Sequence, residues 1–235
     1  MSATKTAVGA GPVPAPPSKS LGATLLDFAL WGGVAALLIV SFGPADISKL
    51  PLLFSNSENM RTFGAEFARP DFGRWELYVE QMWLTVQIAM WGTALAVVLA
   101  IPLGLAAASN VSPFWLVQIV RRLLDILRSV NELVLGVAFV VAVGLGPFAG
   151  VMALALHTAG VLGKLFSEAV EAIDPRPVEG VRATGATSLQ EIVWGVIPQV
   201  APLWTSYALY RFESNSRSAT VLGLIGAGGI GQTLF

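Results

Sequence analysis

Long stretches without a charge constrain this chain more than any other feature. Residues 28–45, 81–120, 133–163 and 192–210 contain no Asp, Glu, Lys or Arg. A helix that crosses a bilayer needs about 20 mostly apolar residues, and these stretches supply them. The two longest are interrupted. Ser109-Asn110-Val111-Ser112-Pro113 is a turn cluster, and Gly144-Leu145-Gly146-Pro147 ends one helix and opens the next with proline in its first turn. About five crossings are expected, near 23–42, 81–108, 121–143, 147–166 and 190–213. The apolar runs are too long for strands and do not alternate, so the expected class is an all-α, polytopic membrane protein. Composition agrees: 12% of residues are charged, against about 25% in soluble domains.

Residues 1–20, rich in Ala, Pro, Gly and Ser, read as a disordered tail. Residues 21–80 read as a first anchor followed by an external, interfacial elbow, and 81–235 as the transmembrane core. With the amino terminus inside, the basic residues divide eight inside to six outside, a weak orientation signal. A net charge of −1 gives no case for nucleic acid. Cysteine is absent and His157 is the sole histidine, so no Cys- or His-based metal site is expected. No G-x-x-x-x-G-K-[ST] occurs. The chain therefore has no nucleotide site of its own, and no enzyme activity is expected. Gly226-Ala227-Gly228-Gly229-Ile230-Gly231 fits G-x-G-x-x-G, but the chain ends at Phe235, without the helix and distant acidic residue a dinucleotide site needs.

The most informative segment is Glu168 to Pro198. Asp174-Pro175 reads as a helix cap followed by proline at the first helical position. Ser188-Leu189-Gln190-Glu191 fits a capping box, which would start a new helix at Leu189. Between them, Glu179 and Arg182 are spaced to pair on a short helix. Two small polar helices between two crossings make a knob suited to a groove on a partner.

This segment resembles the EAA loop of ABC importer permeases. Glu179, Gly185 and Pro198 sit in that family's register, while Gly180-Val181 replace Ala-Ala and Gly195 replaces an isoleucine. Residues 70–235 are similar to phosphonate-transport permeases of the PhnE type, through Pro102–Ala107, Leu162–Phe166, Val178–Ala186, Tyr210–Asn215 and Leu222–Gly231. The resemblance implies a type I ABC importer transmembrane domain in a bacterial cytoplasmic membrane. Its cargo would be phosphonate or a related phosphorus oxyanion, with methionine or another small solute as the alternative. An ion-coupled secondary transporter is the remote alternative, since no inverted repeat is visible. Partners implied are a second permease copy, two cytosolic ATPases that carry ATP and Mg, and an external binding protein. The resemblance implies one more crossing after the glycine-rich segment, which is not expected within residues 1–235, whether through truncation or divergence.

The resemblance makes Glu179, Arg182, Ala183, Gly185, Ala186 and Pro198 the ATPase-coupling residues. Arg211, Arg217, Ser214, Asn215, Gly226, Gly228 and Gly229 are candidates for the substrate path. A local Glu213–Arg217 ion pair competes with that role for Arg217. Glu132, paired with Arg128, and His157, in an interhelical hydrogen bond, are candidates for gating or packing. Pro198 and Pro202 should kink the fifth crossing, and Gly146-x-x-x-Gly150 should permit close helix contact.

Overall fold

The computed structural model describes residues 21–52, 57–68 and 73–233. The expected tail at 1–20 lies outside the described residues. The chain divides into two units, residues 1–71 and 72–235. In the first unit α1 spans Leu21–Ser41 and α2 spans Ser57–Phe67. Leu25, Phe28, Leu37 and Val40 of α1 are all exposed, which suits a helix surrounded by lipid.

The second unit begins with α3, Trp75–Ala107, and continues with α4 (Phe114–Ser129), α5 (Glu132–Val143) and α6 (Pro147–Glu171). The loop helices are α7 (Pro175–Ala183) and α8 (Ser188–Glu191). A π-helical turn at Ile192–Val196 then leads into α9, Ile197–Gly223. A short 3-10 turn follows at Ile230–Thr233.

Small residues set the packing. Along α3, Gly92, Ala96, Ala100 and Gly104 recur every four residues and are buried, forming a stripe on one helix face. A Cβ on Gly92 would lie 2.8 Å from Leu154 Cβ, and one on Gly104 2.7 Å from Phe166 Cβ. Lipid gives helices no hydrophobic drive to associate, so close backbone approach supplies much of the attraction. The same logic operates on the other face of α6, where Gly160 and Gly163 meet Leu127 and Leu124 of α4. Phe166 and Trp204 stack at 4.5 Å between centroids and join α6 to α9.

Three sequence expectations need correction. The third crossing is not one helix over 121–143. Those residues fall on two helices, α4 and α5, bent by 87° from one another. Val130 is extended, and Asn131 caps a fresh helix by accepting a hydrogen bond from Leu133 N at 2.9 Å. The charges Arg121, Arg122, Asp125 and Arg128 confine α4 to a polar-faced position, whereas α5 carries only Glu132. Second, α3 starts at Trp75, so residues 75–80 belong to the membrane helix and not to the elbow. Third, a Cβ on Gly146 would meet nothing within 4 Å, while Gly150 packs against Ala227. Within this chain the close contact therefore falls on Gly150, which also lies against Ile88 of α3, and not on Gly146.

Thr24–Ser41, Trp75–Ala107 and Pro147–Glu171 are long and apolar enough to cross a membrane, and the bent pair α4–α5 would make a fourth span. The fifth expected crossing falls on α9, which runs on to Gly223. It is not among these spans, because its outer half carries Arg211, Glu213 and Arg217 among serines and an asparagine.

Candidate functional site

The loop between α6 and α9 is built as a braced lever. Asp174 Oδ1 accepts a hydrogen bond from Arg176 N at 3.0 Å and caps α7, with Pro175 at its first position. Gln199 then bolts this turn to α9. Its Oε1 accepts from Asp174 N at 3.2 Å, and its Nε2 donates to Asp174 O at 3.3 Å and Gly195 O at 2.7 Å. A Cβ on Gly195 would sit 3.0 Å from Val178 Cα. The departure from the family pattern at Gly195 thus admits close contact between α7 and the π turn.

The α7 helix ends at Gly185, whose φ is +81°. Gly185 N donates to Arg182 O at 3.0 Å, closing a left-handed cap that favours glycine. This gives the motif glycine a physical role: it stops α7 and turns the chain toward α8. The second helix is capped one residue earlier than its sequence suggests. Thr187 and Gln190 form the capping box, because Glu191 is engaged elsewhere.

Arg182 does not pair with Glu179, as the spacing suggests. Its Nε and its Nη2 reach Glu191 at 3.0 and 2.8 Å, joining α7 to α8 in a bidentate pair. These bonds hold the Glu191 carboxyl below the usual carboxylate range. Its contribution is therefore complete above an unperturbed glutamate's 4.5 and is lost as pH falls through the lowered folded value. Hydrogen exchange across residues 182–191 should show protection that disappears under acid, and Arg182→Gln should flatten that pH dependence.

Glu179, Arg182, Ala183 and Gly185 are exposed, and Ala186 is half-buried. Leu189 and Trp194 beside them are 70% and 71% exposed. This apolar rim around a charged, rigid knob is a surface suited to a protein partner. Pro198 lies in the first turn of α9, directly after the π turn. Pro202 lies inside α9. At the same end of the bundle Glu171 accepts from Ser109 N at 2.7 Å and Ser109 Oγ at 2.6 Å, and pairs with Arg121. The Arg121 Nε also donates to Ala107 O at 3.0 Å. The knob's root is thereby tied to the turn between α3 and α4.

The candidate path residues do not converge. Arg217 pairs with Glu213 at 2.8 Å on an exposed face, which is the local ion pair that competes with a path role. Asn215 is buried and cross-links three helices. Thr158 Oγ1 donates to its Oδ1 at 3.0 Å, and its Nδ2 donates to Thr93 Oγ1 at 2.9 Å. Gly226, Gly228 and Gly229 have positive φ and form a packed turn. Gly228 lies against Pro147 and Gly229 against Thr85, whose hydroxyl accepts from Ile230 N at 2.8 Å. Ser214 is half-buried beside Asn215.

Among the described residues Arg211 bonds none of the other path candidates; its charge acts instead on Glu132, one of the residues assigned to gating or packing. Glu132 is not paired with Arg128, which bonds Asp125 at 2.8 Å. Glu132 Oε1 accepts from Ser218 Oγ at 2.9 Å, and its other oxygen lies 3.7 Å from His157 Nε2. The imidazole Nδ1 donates to Val130 O at 2.9 Å, the interhelical bond expected of His157, and it lands on the break between α4 and α5.

Comparison with known proteins decides the family. Residues 100–235 match the binding-protein-dependent transport system inner membrane component family. The chain belongs to that family. It is 43% identical over 183 residues to the phosphite transport system permease protein PtxC of Stutzerimonas stutzeri, covering 77% of this chain and 66% of that one. It is 51% identical over 139 residues to the putative cryptic phosphonate transport system permease protein PhnE1 of Escherichia coli K12, covering 59% and 65%. A third relative is the phosphate-import permease protein PhnE of Mycolicibacterium smegmatis, 44% identical over 155 residues and covering 64% and 29%. The chain thus spans at most about two thirds of the length of these relatives. In structure it is similar to an inward-facing form of the MetNI methionine ABC transporter, with a TM-score of 0.63 at 22% identity, covering 70% of this chain and 81% of that one. The family fold, an all-α polytopic importer transmembrane domain, is that of this chain.

Proposed function

We propose that this permease is the membrane-spanning subunit of an ATP-driven importer for phosphonate, phosphite or phosphate in a bacterial inner membrane. The braced loop at Glu168–Pro198 carries the reading, because it turns a docking event into helix motion. A partner ATPase binding ATP and Mg engages the knob through Glu179, Ala183, Gly185 and Ala186. The Gln199 bonds pass the displacement to α9, and the Glu171–Ser109–Arg121 cluster passes it to the turn between α3 and α4. Two permease copies enclose the pathway, and an external binding protein supplies the cargo. Alternation follows because the ATPase ligand state favours one arrangement of this bundle over the other.

The oxyanion assignment rests on relatives named for phosphite, phosphonate and phosphate transport. Methionine is the second reading, favoured by the fold shared with a methionine transporter. ATPase stimulation of the copurified complex separates the two. Phosphate, phosphite or methylphosphonate should stimulate and methionine should not; the reverse pattern would replace the assignment.

A further inference from the structure

Glu132, His157 and Ser218 meet where α4 gives way to α5, and Arg211 is near enough for its charge to act on Glu132. At 1.5 Å per residue His157 lies about 21 Å from Glu171 along α6. That is well inside a hydrocarbon core about 30 Å thick. Ionisable groups at such depth commonly mark a path. Arg211 is half-buried, its charge acts on Glu132, and its Nε is buried without a hydrogen-bond partner. The remaining polar groups all face one carboxylate: Ser218 Oγ donates to it and His157 Nε2 lies beside it.

A carboxylate in an importer of anions looks misplaced, since it repels the cargo. Its chemistry resolves the conflict. A carboxylate is itself an oxyanion, and hydroxyl and guanidinium donors that suit it also suit a tetrahedral phosphorus oxyanion. We propose that the Glu132 carboxylate is the resting occupant of an oxyanion site formed by Ser218 and Arg211 beside His157, and that the transported anion displaces it. This deepens the substrate reading above and rests on it. Two anions cannot share the site, so cargo entry moves Glu132 at the first residue of α5 and bears on the break at Val130–Asn131. An exit route adjoins the site. His157 also lines a groove of about 530 Å3 running between α4 and α6 toward Glu168. Its basic groups are held locally, Arg128 by Asp125 at 2.8 Å and Lys164 near Glu168 at 3.8 Å, so among the described residues the groove offers the departing anion no free cation.

Equilibrium binding of phosphate and methylphosphonate to the permease–ATPase complex tests this. Glu132→Gln keeps the shape and an acceptor for Ser218 but removes the competing charge, so binding should tighten about tenfold. Arg211→Gln should weaken it by about tenfold or more, with Arg211→Lys intermediate. Glu213→Gln, on the exposed face, should match wild type. Opposite shifts from two neighbouring residues cannot come from a general packing defect. If Arg211→Gln does not assemble, Glu132→Gln still decides by its sign. Unchanged or weaker binding in Glu132→Gln overturns the displaced-carboxylate site while leaving the importer assignment standing. A wild-type complex that binds neither anion overturns the substrate reading and this site with it.

Discussion

Gly160→Leu should disrupt the packing of α4 on α6. A Cβ at this position would lie 2.7 Å from Arg128 N, 2.8 Å from Leu127 Cβ and 3.0 Å from Leu127 C. Two of these neighbours are backbone atoms, which cannot rotate away. The end of α4 would have to move, and with it the extended Val130 and the Asn131 cap. Overpacking of this kind costs about 3 kcal/mol. At 2–4 °C per kcal/mol, Tm of the solubilised permease should fall by roughly 6–12 °C. Gly32→Leu in α1, where nothing lies within 4 Å, is the matched control and should leave Tm unchanged. Equal melting of the two variants would show that α4 does not rest on α6 as described.

The second large effect is on coupling rather than folding. Gly185 is exposed, a Cβ added to it would meet nothing within 4 Å, and its φ is +81°. A branched residue there meets backbone strain of about 1–2 kcal/mol, confined to the turn that ends α7. Gly185→Asp adds a charge at the docking face, and Glu179→Arg reverses one. Both positions are exposed, so the bundle and its membrane insertion should survive. Copurification with the ATPase should nevertheless fall at least about tenfold, the equivalent of losing about 1.4 kcal/mol of docking energy. Gly185→Asn, which accepts the left-handed conformation, should retain more binding than Gly185→Asp. If both charge variants copurify as well as wild type, the docking face lies elsewhere on the knob.

The parts of the fold legible in sequence are those governed by local rules. Charge-free length locates α1, α3 and α6, and the Asp174-Pro175 cap locates α7. Gly185 is visible by its register, and the reason for it, a helix terminator, needs only the backbone angle. What escapes depends on contacts distant in sequence. Hydropathy cannot show a break between apolar neighbours, so the bend at Val130–Asn131 hides inside a continuous run, although Asn131-Glu132 is a recognisable cap. Arg182 has two carboxylates within reach on paper, Glu179 at i−3 and Glu191 across the turn. The fold selects the one with bidentate geometry. Gln199 and Glu171 give no signal, being single polar residues whose partners lie 25 and 62 positions away. Asn215 is a path candidate through the Tyr210–Asn215 stretch that resembles the family. Its amide bonds Thr158 and Thr93, a cross-link of the kind that joins membrane helices and that only the fold reveals.

ATP-driven uptake tests the central claim most directly. The permease, its ATPase and its binding protein would be reconstituted in vesicles with ATP on the knob side. Labelled phosphate, with phosphite and methylphosphonate as competitors, would then be supplied on the other. Wild type should accumulate label only with ATP, and Gly185→Asp should accumulate none while inserting normally. Uptake by Gly185→Asp at the wild-type rate, or wild-type uptake without ATP, would contradict the account.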